Sequence, residues 1–274
     1  MTESIEIRSF TLEDELLRTM DSRKRNQLLG CMHAHNELTF LNRLRLFSYN
    51  SVSDGELHGY AQTSQSWCVH QLLAGKLHET WDMLAKRFSL AKKKAQQDAV
   101  VTALCPEHQA SLVWLQGYFS GKGAKDRAIP LVRNKTAFHY EGLDMDEAVK
   151  NLAHGETTFH IAQHPVNALY WVGSAVVFRT ILAKIADAAS PTAKGRDHSE
   201  RVGEGFHMLE DDVEEANFHL HLVLYGLIKG LIEDALGHSL GSGRATNIEG
   251  APTPEGVALC PWLKMTPRGR SDLS

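Results

Sequence analysis

Between Gly121 and Tyr140 the chain reads GKGAKDRAIPLVRNKTAFHY. Lys122, Lys125, Arg127, Arg133 and Lys135 stand there against a single acid, Asp126, in a chain whose formal net charge is −4. A local excess of cations is what a polyanion needs, because binding it releases condensed counterions. Two residue types in the stretch could also do chemistry on a phosphodiester. His139 has an unperturbed pKa near neutrality and can take or give a proton. Arg133 stays charged at any working pH and can present two N–H groups to the non-bridging oxygens, where negative charge gathers in the transition state. Asn134 could orient the scissile phosphate or hold His139. Tyr140 and Phe138 offer faces on which a base could stack. Lys125, Arg127 and Lys135 would add affinity for RNA rather than chemistry.

Arg133-Asn134 followed by His139 places five residues between the arginine and the histidine, the first of them polar. With the helical organisation below, this pattern and the surrounding RNKTAFHY resemble the HEPN superfamily (higher eukaryotes and prokaryotes nucleotide-binding). The resemblance covers this short motif and the general organisation only. It implies a helical fold that often dimerises, with the motif of each subunit facing a shared cleft. It also implies metal-independent ribonuclease activity, or binding without activity in members that have lost it. On this reading Arg133, Asn134 and His139 are the catalytic group. A regular helix poses a difficulty, since six residues amount to a rotation of about 240°. The arginine must then reach round, the helix must loosen near Phe138, or two subunits must complete one site. The structural alternative makes His139 a satisfied histidine near a helix end. Arg133 would then belong to an ion pair, with Glu141 or with a residue of an acidic helix.

Other constellations carry less. His33-Ala-His35-Asn-Glu37 puts a histidine and a carboxylate one turn apart, and reads as a polar helix face or as support for the Arg133–His139 cleft. Glu204-Gly-Phe-His207 matches the Glu-x-x-His spacing of di-iron bundles, but it stands alone among glycines where a bundle site needs two such units. The acidic run from Glu210 to Glu215 suits the start of a helix, where carboxylates complement the dipole. No Walker loop, dinucleotide glycine fingerprint, Gly-x-Ser-x-Gly elbow or His-Glu-x-x-His occurs. No metal and no cofactor is therefore expected.

The elements that position the basic segment read as helices. Leu12 to Phe47 carries apolar residues at three-to-four spacing, with a break near Asp21, and Thr11 with Asp14 resembles a capping box. A second long helix is expected from Glu56 to Ser89, with a stripe of Cys68, Leu72, Leu73, Leu77, Trp81, Leu84 and Phe88. Pro106 suits the first turn of a helix reaching Phe119. Asp126 could cap another with Ile129 and Val132 inward, and Asp144 could start a short one to His154. Thr157 to Ala162 could be extended. Pro165 opens a strongly apolar helix to about Ala188, and a last one runs from about Phe206 to Leu236. The Gly- and Pro-bearing stretch from about 190 to 205 reads as a flexible loop, and 237–274 as an irregular C-terminal tail. Alternating strands are absent, so the class is all-α. The expectation is one helical-bundle domain over 1–236, with room for a short-strand insertion.

Composition agrees with a globular chain: 274 residues, 43% hydrophobic and 23% charged. A net charge of −4 argues against coating nucleic acid over the whole surface but leaves room for a local basic site. Cys31, Cys68, Cys105 and Cys260 form no Cys-x-x-Cys unit and read as thiols in a reducing cytoplasm. MTESIEIRSF is not a signal peptide, and Ala168 to Phe178 is too short for a membrane helix. The sequence therefore points to a cytoplasmic HEPN-like RNA-binding protein or ribonuclease, dimeric and not membrane-bound. Its alternatives are a non-catalytic helical assembly protein and, behind that, a metal-dependent helical enzyme.

Overall fold

The computed structural model describes residues 5–49, 55–90, 97–137, 149–150, 152, 156–161, 169–190, 195–240 and 244–248. Within them the chain is an all-α bundle with a small β ribbon. The helices are α1 (Asp14–Thr19), α2 (Ser22–Tyr49), α3 (Glu56–Arg87), α4 (Ala99–Thr102), α5 (Pro106–Ser120), α6 (Ala128–Val132), α7 (Trp171–Ala189) and α8 (His198–Leu236). Strands β1 (Ile5–Ser9) and β2 (Arg244–Ile248) pair antiparallel, with Ile5 opposite Ile248 and Ser9 opposite Arg244. The expected tail 237–274 is thus not irregular throughout, because a partner strand near the other end supplies the pairing that no local pattern announces. Residues 249–274 lie outside the described residues, as does nearly all of the helix expected from Asp144 to His154.

Helix α8 is the central post: α2, α5 and α7 pack along it, and α3 spans between α2 and the α6 turn. Its inward face buries Leu209, Val213, Ala216, Leu220, Val223, Leu224, Leu227 and Leu231, the three-to-four repeat of a core-facing helix. In α3 the buried side chains include Ala61, Trp67, His70, Leu73, Ala74, Leu77, Thr80, Trp81, Leu84 and, just past its end, Phe88, so five of the seven expected stripe residues are buried. Cys68 and Leu72 are exposed instead. The polar His70 occupies a core position and so hides the true phase of the stripe. Its Nδ1 lies 2.8 Å from the Ser66 carbonyl oxygen one turn earlier, which satisfies one ring nitrogen without leaving the helix.

Four boundaries differ from expectation, the first being that α7 begins at Trp171 rather than Pro165, with Leu169 in an isolated bridge to His160. Asp197, rather than a residue near Phe206, caps α8 by accepting a hydrogen bond from the Ser199 N–H at 2.6 Å. Residues 198–205 are therefore helix, not flexible loop. Arg201 donates to both oxygens of Asp187 at 2.9–3.0 Å, and Arg179 pairs with Glu156 at 2.8 Å and reaches the Ser199 hydroxyl at 3.1 Å. One of the glycines that suggest a loop serves packing: a Cβ on Gly205 would stand 1.9 Å from the Leu182 carbonyl oxygen, so α7 and α8 touch backbone to backbone. Arg127 rather than Asp126 precedes α6. Glu13, without a side-chain hydrogen bond, precedes α1, so Thr11 does not cap it. The break near Asp21 is present, with Asp21 accepting from the N–H groups of Arg23 and Lys24 at 3.1 Å each.

Candidate functional site around Arg133

The basic segment is held by a buried network. Tyr118 of α5 is 2% exposed, and its hydroxyl donates to the Asp212 carboxylate on α8. The same hydroxyl accepts from the Ile129 N–H at 3.3 Å. Asp212 also takes a hydrogen bond from the Ala128 backbone, yet burial raises its pKa above the usual carboxylate range. Trp114 stacks on Tyr118 with ring centroids 5.0 Å apart. Ala128, Ile129, Pro130 and Val132 are buried, which pins α6 against the core and fixes where Arg133 leaves it.

From Arg133 to Ala137 the backbone makes a π-helical turn. Such widened turns are rare and occur often at functional sites. This turn ends one residue before Phe138, near where loosening is one of three ways to reconcile the Arg133–His139 spacing with a helix; Phe138 and His139 lie outside the described residues. The Arg133 guanidinium is partly exposed, its Nη2 donating to Glu79 Oε1 on α3 at 2.8 Å and its Nη1 to Asn134 Oδ1 at 2.9 Å. Of the structural alternatives for Arg133, the ion pair is present, with Glu79 of α3 rather than a residue of the acidic helix among the described residues; Glu141 lies outside them. The hydrogen bond from Arg133 holds the Glu79 carboxyl below its ordinary pKa despite partial burial.

The other expected residues divide. Asn134 is exposed and sits on Arg133. Lys125 lies on a short 3-10 turn, Ala124–Asp126, and is exposed. Arg127 lies over the Tyr118 ring, 4.8 Å from its centroid, so it braces the scaffold. Lys135 is half-buried. His139 and Tyr140 lie outside the described residues.

His78 is the neighbour that sequence reading missed. It sits on α3 beside Glu79, its Nδ1 3.6 Å from Asp82 Oδ2, and its ring meets the Phe119 ring edge-on at 5.8 Å. Burial lowers its pKa, the Arg133 charge lowers it further, and Asp82 and Glu79 oppose both. The net effect favours the neutral form of the imidazole within the field of Arg133. The spacing of His78 and Asp82, one turn apart, was visible, but α3 reads first as a core helix.

The histidine-rich candidates are engaged elsewhere. His33 Nε2 lies 3.1 Å from Glu37, whose carboxylate also pairs with Lys76. Glu204 pairs with Arg196 at 2.7 Å, and His207 faces Glu210 at 3.7 Å. His35 meets His221 edge-on at 4.8 Å, and His221 Nε2 contacts the Thr39 hydroxyl at 3.1 Å. Among the described residues no three His, Cys, Asp or Glu side chains converge as metal ligands would. Among the same residues no helix is long and apolar enough to cross a membrane. Comparison with family models, with curated proteins and with solved structures finds no match to this chain.

Proposed function

We propose that this chain is a HEPN-like RNA-binding protein whose activity is metal-independent cleavage of RNA, with Arg133 as the phosphate ligand and His139 as the proton-transfer group. The observation that carries the reading is the partly exposed guanidinium of Arg133 at the head of a π-helical turn, beside the Glu79 carboxylate and within electrostatic reach of His78. In the reaction a base takes the 2′-hydroxyl proton and the 2′-oxygen attacks phosphorus. The bond to the 5′-oxygen breaks, and an acid protonates that oxygen. The products are a 2′,3′-cyclic phosphate and a 5′-hydroxyl. Arg133 leaves Glu79 for the phosphate as negative charge develops, an exchange of one carboxylate partner for another anion. Asn134 steers the guanidinium, and Lys125 and Lys135 supply sequence-independent affinity.

The test is labelled RNA incubated with chelator and with wild type, Arg133→Ala or His139→Ala. Wild type is expected to cleave and each variant to lose on the order of 10²-fold or more. Undiminished cleavage by both variants overturns the roles, and intact RNA with wild type overturns the activity.

A second reading, a non-catalytic helical assembly protein, is supported by Phe218 and Tyr225. They lie seven residues apart on one stripe of α8 and are 57% and 59% exposed. A homodimer joined through this stripe would become monomeric in the Phe218→Glu/Tyr225→Glu variant in light scattering, with unchanged helicity. Monomeric wild type would dismiss it.

A further inference from the structure

A second basic site lies where α2 begins and α3 ends. There the two helices enclose an open cleft of about 640 Å³. α2 contributes Ser22, Arg23 and Asn26, and the end of α3 contributes Lys86, Arg87 and Ser89. With Gln27, the remaining lining residue, every described side chain facing the cleft is a cation, a hydroxyl or an amide, and none is a carboxylate.

The cations are differently committed. Arg23 pairs with Asp98 at 2.7 Å. Lys86 and Arg87 are exposed, and among the described residues neither has a carboxylate within ion-pair distance. Arg87 instead lies against the backbone of α2, its Nη1 donating to the Asn26 carbonyl oxygen. Gly30 makes room for it, since a Cβ there would stand 2.6 Å from that nitrogen. A guanidinium has five N–H donors, so this placement fixes the fork while leaving most of it available.

The backbone points the same way. Ser89 has φ +57°, the only described non-glycine residue with a positive φ. It ends α3 in a left-handed turn closed by Leu90 N–H donating to the Ala85 carbonyl at 3.1 Å. Glycine is the usual residue at such a position, and a side chain there costs about 1 kcal/mol. Serine retains a hydroxyl on the cleft wall at that cost. The carbonyl of Arg87, which would repel an anion, is covered by the Gln27 amide at 2.8 Å. Gln27 also donates to Asp98 at 2.6 Å, and Asp98 itself does not line the cleft. The first turn of α2 adds the positive end of a helix dipole.

We propose that this cleft is a phosphate-binding site, with Lys86 and Arg87 as the charged ligands and Ser22, Asn26 and Ser89 as hydrogen-bond donors. The phosphate can belong to an RNA strand or to a free phosphorylated molecule, and the proposal stands apart from the reading of Arg133. An RNA strand is sterically natural. Lys86 lies seven residues from Glu79 on the same face of α3, about 10 Å along the axis. That is the rise of about three stacked nucleotides at ~3.4 Å each.

Calorimetry with inorganic pyrophosphate and with a single-stranded RNA 12-mer tests the site in the full chain. Compared are wild type, Lys86→Ala/Arg87→Ala, Arg87→Lys and Gly30→Ala. If the site is real, the double variant loses at least about tenfold in pyrophosphate affinity. Gly30→Ala, which keeps every charge but displaces the guanidinium, loses several-fold. Arg87→Lys, which keeps the charge without the fork, behaves like Gly30→Ala and serves if the double variant fails to fold. If the phosphate is that of RNA, the double variant also flattens the slope of log affinity against log salt by about 1.4 for two lost contacts. Loss with pyrophosphate alone assigns the site to a free phosphate ligand. Wild type that binds neither probe, or variants that bind both as wild type does, overturns the proposal. Loss of pyrophosphate affinity in the Lys86→Ala/Arg87→Ala variant is read without any RNA cleavage, so failure of the cleavage reading is visible separately.

Discussion

Arg133 reaches the flank of α3 and Arg87 is the last residue of that helix, yet they are held in opposite ways. Arg133 is neutralised by Glu79 and steadied by its neighbour Asn134. Arg87 rests on a bare stretch of helix backbone, with no carboxylate near its guanidinium among the described residues. The first arrangement suits a switchable contact, because an incoming anion must displace a carboxylate. The second suits standing affinity, because nothing must be displaced. A motif in sequence finds arginines next to histidines, but the availability of a guanidinium is decided by which carboxylate the fold brings to it.

The two ends can be uncoupled, and the largest effect expected is on the scaffold of the first. Tyr118→Phe leaves the half-buried Asp212 without its hydroxyl donor and the Ile129 N–H without its acceptor. It should destabilise the protein by about 2 kcal/mol. Hydrogen exchange should quicken across 124–137 and not at the α2–α3 cleft. Equal acceleration at both would show that the ends are not independent.

Acidification separates them next. Burial holds the pKa values of His70 and His78 below 6.5. The unfolded chain therefore takes up these protons first as pH falls. Their contribution to stability is complete above about pH 6.5 and is lost progressively below it. Denaturation midpoints should drop between about pH 7 and about pH 5.5. RNA affinity in the cleft should hold over that range, since phosphodiesters and the side-chain types lysine and arginine do not titrate there. A flat stability profile would refute the neutral state assigned to the two histidines.

Ser89→Gly sharpens the contrast further. Relief of the left-handed conformation should stabilise the protein by about 0.5–1 kcal/mol, while removal of the hydroxyl weakens pyrophosphate binding two- to threefold. Stability gained without loss of affinity would make Ser89 merely a strained cap. The smallest effect belongs to Glu79→Gln. The pair is partly exposed and should cost less than about 1 kcal/mol, yet RNA affinity should rise as Arg133 is released. Unchanged affinity would indicate that Arg133 serves the fold alone.

Much of the architecture was legible because helix stripes are local. The spans of α2, α3 and α5 follow from apolar spacing, from Asp21 and from Pro106. Non-local facts were not legible. His70 stands in a core position and disguises the phase of α3. Gly203 and Gly205 look like loop punctuation, although Gly205 exists for the contact with Leu182. The pairing of β1 with β2 depends on two segments more than two hundred residues apart. At the candidate site the basic stretch and Arg133 could be read, whereas the π-helical turn at Arg133–Ala137 could not. Glu79, His78 and the carboxylate-free cleft could not, because each is made by elements remote in the chain meeting along α3.

The β ribbon gives the bundle a property that no single helix has. Because Ile5 is paired opposite Ile248, the path through the described helices returns to within one strand spacing of its start, about 4.8 Å. The helices are thereby enclosed in a circuit rather than strung on an open thread. Tension pulling residue 5 away from residue 248 is met first by a row of interstrand hydrogen bonds, before it reaches the hydrophobic interior.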